Sequence, residues 1–133
     1  MEYELNIKFT NKAMKKLGKM ESIQKEKFLT KIKNNVYMFI EGEKSGLIQE
    51  HFFKKIRGFD SSLYILKLDQ NNRAILSIED DPIFGRMDVI IYALTNPGEY
   101  KKEISSIMES LYQKMLNEDY DDKEENEWQK LRD

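Results

Sequence analysis

Near the middle of the chain Lys54, Lys55 and Arg57 fall among Phe52, Phe53 and Phe59. Cations interleaved with aromatic rings suit single-stranded RNA, because the cations meet phosphates while the rings stack on unpaired bases. The same mixture is ordinary at the edge of a packed strand. Lys67 and Arg73 flank the polar stretch Asp69-Gln70-Asn71-Asn72, where Arg73 has Asp69 and Glu79 within reach as surface ion-pair partners. His51 is the one histidine and cysteine is absent. That excludes disulfides, thiolate chemistry and a multi-histidine metal site. A histidine-dependent triad would rest on His51 alone, which has no nucleophile at motif spacing. The acidic run Glu79-Asp80-Asp81 lacks the alternating oxygen spacing of a calcium loop and reads as a solvated turn. No phosphate-binding P-loop and no glycine-rich dinucleotide fingerprint is present. The expectation is therefore no metal and no cofactor.

The elements that must position these residues follow from periodicity. Tyr3, Leu5, Ile7 and Phe9 alternate with polar residues, the period of two that marks a half-buried strand. Thr10-Asn11 supplies an N-cap oxygen, and Ala13, Met14, Leu17 and Met20 then recur at helical spacing up to Gly18 and just beyond. A second start at Glu21-Ser22 opens a longer helix with Phe28, Ile32, Val36 and Phe39 on one face, beside Leu29 and Ile40, ended by Gly42 and Ser45-Gly46. Residues 11 to 41 thus read as a helical hairpin with lysines on its outer surface. Leu63 to Leu68 and Ala74 to Ile78 read as antiparallel strands joined by the Asp69 to Asn72 turn, whose residue types tolerate the positive φ of tight hairpins. Asp80-Asp81-Pro82 and Gly85 mark a second turn before the nearly continuous apolar strand Met87 to Leu94. Asn96, Pro97 and Glu99 carry the grammar of a helix start, and a last helix from about Pro97 to Leu116 would bury Ile104, Ile107, Met108, Leu111 and Met115.

The expected fold is α+β with the order β-α-α-β-β-β-α, a helical hairpin packed on a small, mostly antiparallel sheet. At 133 residues the chain has room for one such domain, placed at residues 1 to 116, with an acidic tail at residues 117 to 133 that extends the last helix or stays loose. The charge divides the same way. The net charge of −2 combines +3 over residues 1 to 116 (19 basic, 16 acidic) with −5 over residues 117 to 133 (3 basic, 8 acidic). The local +5 over residues 1 to 60 (13 basic, 8 acidic) reads either as a solvated helix face or as a surface for a phosphate backbone or an acidic partner. The tail, with Tyr120, Trp128 and Leu131 as its few apolar anchors, reads either as a solvated extension or as a screen over the basic body until a partner displaces it. No apolar run approaches the roughly 18 to 20 residues of a membrane span, and the start MEYELNIKFT lacks the features of a secretory signal, so a cytoplasmic protein without a membrane partner is expected.

The order of elements and several short motifs resemble the RelE/ParE superfamily of bacterial toxins. Lys55-Ile56-Arg57-Gly58 is similar to that family's "K-L-R-G" signature, Leu63 to Leu68 to the "YKIKL"-like strand, and Asn72 to Ile78 to the "YRLVY" strand. The resemblance spans residues 1 to 116, with recognisable motifs between 50 and 100. It implies a toxin-antitoxin function, with a cognate antitoxin as partner. In the RNA-cleaving branch it implies metal-independent endoribonuclease action on messenger RNA in the ribosome, by attack of a ribose 2′-hydroxyl on the adjacent phosphate. In the other branch it implies inhibition of DNA gyrase without catalysis. Cleavage needs a proton acceptor, cationic donors for the developing phosphate charge and a proton source for the leaving oxygen, all of which Lys, Arg and Tyr supply. By the same resemblance Lys67 matches a strand lysine at the reacting phosphate, Arg73 the phosphate-stabilising arginine and Tyr100 the C-terminal tyrosine that stacks on a base or assists proton transfer. Lys54, Lys55 and Arg57 would contact RNA. The sequence departs from the pattern twice: Ile65 stands where a second strand lysine is common, and Thr95-Asn96-Pro97-Gly98 replaces a loop arginine or histidine. Whether the chain is an enzyme stays open at this point, with a non-enzymatic interaction protein as the alternative.

Overall fold

The computed structural model describes residues 4–54, 60–81 and 83–118. The alternating segment forms β1 (Glu4–Phe9), and the helical hairpin is α1 (Asn11–Gly18) and α2 (Ser22–Ile40). Thr10 caps α1: its hydroxyl accepts from the Ala13 N–H at 3.2 Å and donates to the Tyr92 carbonyl at 2.8 Å, so one side chain both starts the helix and ties it to the sheet. Gly42, at φ +74°, ends α2 while its N–H and that of Glu43 bond back to Phe39 and Met38. Only a left-handed residue lets the chain turn back to satisfy those carbonyls. Then follow β2 (Leu47–Lys54), β3 (Asp60–Lys67), β4 (Arg73–Asp81), β5 (Arg86–Thr95) and α3 (Tyr100–Glu118).

The five strands form one sheet in the order β1-β5-β4-β3-β2, in which only the β1–β5 pair is parallel. The fold is α+β as expected, with one strand more than the periodicity indicated. The additional strand, β2, was illegible because its alternation is interrupted. Leu47 and Ile48 are adjacent apolar residues, Gln49 to His51 are polar, and a bulge between Gln49 and His51 shifts the register against β3. The strand is led in by Gly46, whose N–H bonds to Asn35 Oδ1 at 2.7 Å. A Cβ there would lie 3.0 Å from that oxygen and 3.2 Å from Leu66, so the absent side chain is what lets β2 approach α2.

Both faces of the sheet are covered. Leu66, Leu68, Ala74, Leu76, Val89 and Ile91 meet Ala13, Leu17, Phe28, Ile32 and Val36 of the hairpin. The residues between them, Leu63, Ile65, Ile75 and Ile90, meet Ile104 and Leu111 of α3. Alternation thus splits the strands between two cores, apart from an irregularity in β5 where the adjacent Tyr92 and Ala93 both join the α3 side. Truncating the fully buried Ile32 to alanine would cost on the order of 2–5 kcal/mol. Two expectations need correcting. Met14 is 52% exposed rather than packed, since Ala13 and Leu17 fill the short stripe of α1. The Asp69 to Asn72 turn uses no positive φ, because no described residue other than glycine does; side-chain hydrogen bonds hold it instead. The last helix begins at Tyr100, after a turn at residues 97–99. Residues 119–133 of the tail lie outside the described residues, as does the Met115 side chain. Among the described residues no helix is long and apolar enough to cross a membrane.

Candidate functional site

Lys67 is the last residue of β3 and Arg73 the first of β4, and the register sets them directly opposite each other. On the other side of Arg73 stands Thr95, the buried last residue of β5. Lys67 lies two residues from Ile65 and Arg73 two from Ile75, so alternation turns both cations to the face that carries the α3 core. Tyr100, the first residue of α3, packs against that core. Residues from two strands and a helix therefore share one end of one face.

The turn between the cations is knitted by polar side chains. Asp69 Oδ1 accepts from the Asn71 N–H at 2.8 Å and from Asn72 Nδ2 at 3.0 Å. The Leu68 N–H bonds to the Asn72 carbonyl at 3.0 Å, and Lys31 of α2 donates to the Leu68 carbonyl at 3.1 Å. Arg73 Nη1 donates to the carbonyls of Asp69 at 2.6 Å and Asn72 at 3.1 Å. A guanidinium has five N–H donors in a rigid fork. Both described bonds use Nη1, which leaves Nε and Nη2 unengaged among the described residues. Burial pushes the Asp69 carboxyl upward, but the hydrogen bonds from Asn71 and Asn72 and the charge of Arg73 outweigh it and hold the group below the usual 3.8. Lys67 is exposed and makes no hydrogen bond among the described residues.

Asn96 organises the neighbouring loop. Its Oδ1 accepts from the Gly98 N–H at 2.9 Å, and its carbonyl accepts from the N–H groups of Glu99 and Tyr100 at 3.1 Å each. One turn into α3, Glu103 pairs with Lys12 of α1 at 2.6 Å, a clamp from the hairpin to the start of the helix that carries Tyr100. This clamp and the Lys31 contact were not legible in sequence, because they join residues 91 and 37 positions apart.

The other expected positions divide. Lys54 pairs with Asp60 at the far end of β3, seven residues from Lys67 and so about 23 Å away along the strand. The structure does not bring Lys54 together with Lys67 and Arg73. Lys55 and Arg57 lie outside the described residues. His51 is set opposite Leu63 beside the bulge in β2. Ile65 is 7% exposed and belongs to the α3 core, so that position contributes packing and no charge. Among the described residues no group of three or more His, Cys, Asp or Glu could hold a metal ion. The arrangement sets two cations opposite each other at the ends of β3 and β4, on the face whose core Tyr100 packs against, a combination of charges and ring suited to a phosphate diester and an adjoining base.

No protein-family model matches the chain, and no curated protein does. Among solved structures the chain is similar to a chain of the archaeal RelE-RelB complex from Pyrococcus horikoshii OT3. The two share 20% identity over 74% of this chain and 98% of that one, with a TM-score of 0.48.

Proposed function

We propose that this protein is a toxin of the RelE/ParE type that acts on translation by engaging messenger RNA at the ribosome, with an antitoxin as its partner and the cytoplasm as its site of action. The observation that carries this reading is the cross-strand pair Lys67–Arg73 on the same face and at the same end as Tyr100. The motif resemblance supports it independently of that geometry. In this reading Arg73, oriented by the turn carbonyls, takes up the charge that develops on the scissile phosphate. Lys67 holds the neighbouring phosphate region, and Tyr100 stacks on a base or passes a proton. The test adds the purified protein to a bacterial cell-free translation reaction and maps the 5′ ends of a reporter messenger with and without ribosomes. New ends that require ribosomes, and that vanish with Arg73→Ala, are expected.

A second reading has specific support. Ile65 is buried where the cleaving branch commonly has another lysine, and part of the Arg73 guanidinium is committed to holding its own turn. Both features suit a protein that binds its target without cutting it, whether messenger RNA, gyrase or another protein. Intact messenger together with supercoiling inhibition in a gyrase assay would select that reading.

A further inference from the structure

Between Asn11 and Ile40 the chain carries eight lysines and two glutamates, a net +6 confined to the helical hairpin. Among the described residues Lys12 is the one of these lysines engaged in an ion pair. The others face solvent without a carboxylate, an unusual concentration of unbalanced charge for a chain whose overall charge is −2. Along α2 a shallow, open cleft of about 500 Å³ runs past Ile23, Glu26, Lys27, Thr30, Lys31, Asn34 and Asn35. Ile23, Lys27, Thr30, Lys31 and Asn34 follow helical spacing, so two cations and an amide share one face, with Glu26 the one carboxylate in the lining. At one end Ile23 is 76% exposed, an apolar side chain with nothing packed on it to explain its position. At the side, Lys31 touches the turn between Lys67 and Arg73 through the Leu68 carbonyl.

The complementary charge lies in the same chain. Residues 117 to 133 carry eight acidic and three basic side chains, with Trp128 and Leu131 among them. After Glu118, the last described residue, the sequence continues with the fifteen residues 119 to 133. Extended, they reach up to about 50 Å, more than the roughly 35 Å expected across a domain of this size. Attachment to the domain gives such a segment an effective concentration on the order of millimolar at any surface within reach. We propose that the acidic segment 119 to 133 is an intramolecular occupant of the Lys27–Lys31 stripe on α2, seated by its carboxylates with an apolar anchor at Ile23. It competes there with any polyanion that approaches the hairpin. The proposal does not depend on RNA cleavage, although a seated segment would also place negative charge beside the Arg73 turn.

Zero-length carbodiimide crosslinking of the full chain, read by mass spectrometry on a mixture of isotopically light and heavy protein, tests this directly. Crosslinks from Glu124, Glu125 or Glu127 to Lys27 or Lys31 within one chain are expected at low salt and should fade at roughly 0.5 M salt, where screening falls to a few ångströms. Tail crosslinks found only on Lys101, Lys102 or Lys114 would overturn the proposal, as would crosslinks found only between light and heavy chains. A second measurement uses a labelled oligouridylate as probe. Neutralising Asp121, Asp122, Glu124, Glu125 and Glu127 to their amides should tighten binding by roughly tenfold or more at low salt, and Lys27→Gln with Lys31→Gln should remove most of that gain. An equal gain in both backgrounds would reveal a general effect of net charge and sink the assignment of the stripe.

Discussion

The two turns at the ends of β4 are built by different physics. The turn that leads into Arg73 is held by side chains: Asp69, Arg73 and Lys31 each bond a backbone group of the loop, and Asn72 donates its side-chain amide to the Asp69 carboxylate. In the turn that leaves Asp81 the described feature is a backbone one, Gly85 at φ +62° with its carbonyl accepting from the Glu4 N–H of β1 at 2.8 Å. Its tip exposes Ile83 and Phe84, at 83% and 79%. Polar knitting fixes where a guanidinium points, whereas a glycine turn fixes only the path of the chain. The end with fixed cations is accordingly the one that suits a charged ligand.

Arg73→Ala attacks that difference most strongly. Ribosome-dependent cleavage should fall by about a hundredfold or more, the usual scale for removing one electrostatic contact to a developing charge. The same substitution removes two bonds to turn carbonyls and should lower stability by about 1 kcal/mol, seen as a melting temperature a few degrees lower. Wild-type cleavage by a folded Arg73→Ala protein would leave the guanidinium with a turn-holding role only. Asp69→Ala should cost about 1–3 kcal/mol by stranding the Asn71 and Asn72 donors, measured by urea unfolding. At the opposite end Gly85→Ala should cost roughly 1–2 kcal/mol from its left-handed backbone and leave activity unchanged. Ile83→Ser, on an exposed tip, should change stability by no more than about 0.5 kcal/mol.

Acid should separate the two ends as well. The Asp69 carboxyl titrates below its ordinary value of 3.8 in the folded protein, so its contribution is complete above that value and is lost as pH falls through the lower folded value. The stability difference between wild type and Asp69→Asn should therefore be constant above about pH 4 and shrink below it. A difference that grew on acidification would contradict the hydrogen-bond pattern of the turn.

Much of this was legible along the chain because its cause is local. The alternation of β1, the stripe of Phe28, Ile32 and Val36, the Thr10 cap, and Asn96 at the entry to the last helix all depend on neighbours a few residues away. Local pattern failed at β2, where a bulge resets the period and the strand is defined by its partner β3. Of the basic cluster at 52 to 57, the register places Lys54 opposite Asp60, at the other end of the strand from Lys67, while Lys55 and Arg57 lie outside the described residues.

The candidate site shows the same division. The residue types and the antiparallel hairpin that pairs Lys67 with Arg73 were set by the sequence itself, since a short polar turn between two apolar strands admits little else. That Tyr100 shares their face follows only from tertiary structure. The first strand crosses to the far edge beside β5, the helical hairpin takes one face of the sheet, and α3 is left to cover the other. Alternation says that a strand has two faces but not which helix will bury each, because that is decided by where every other apolar surface finds its partner.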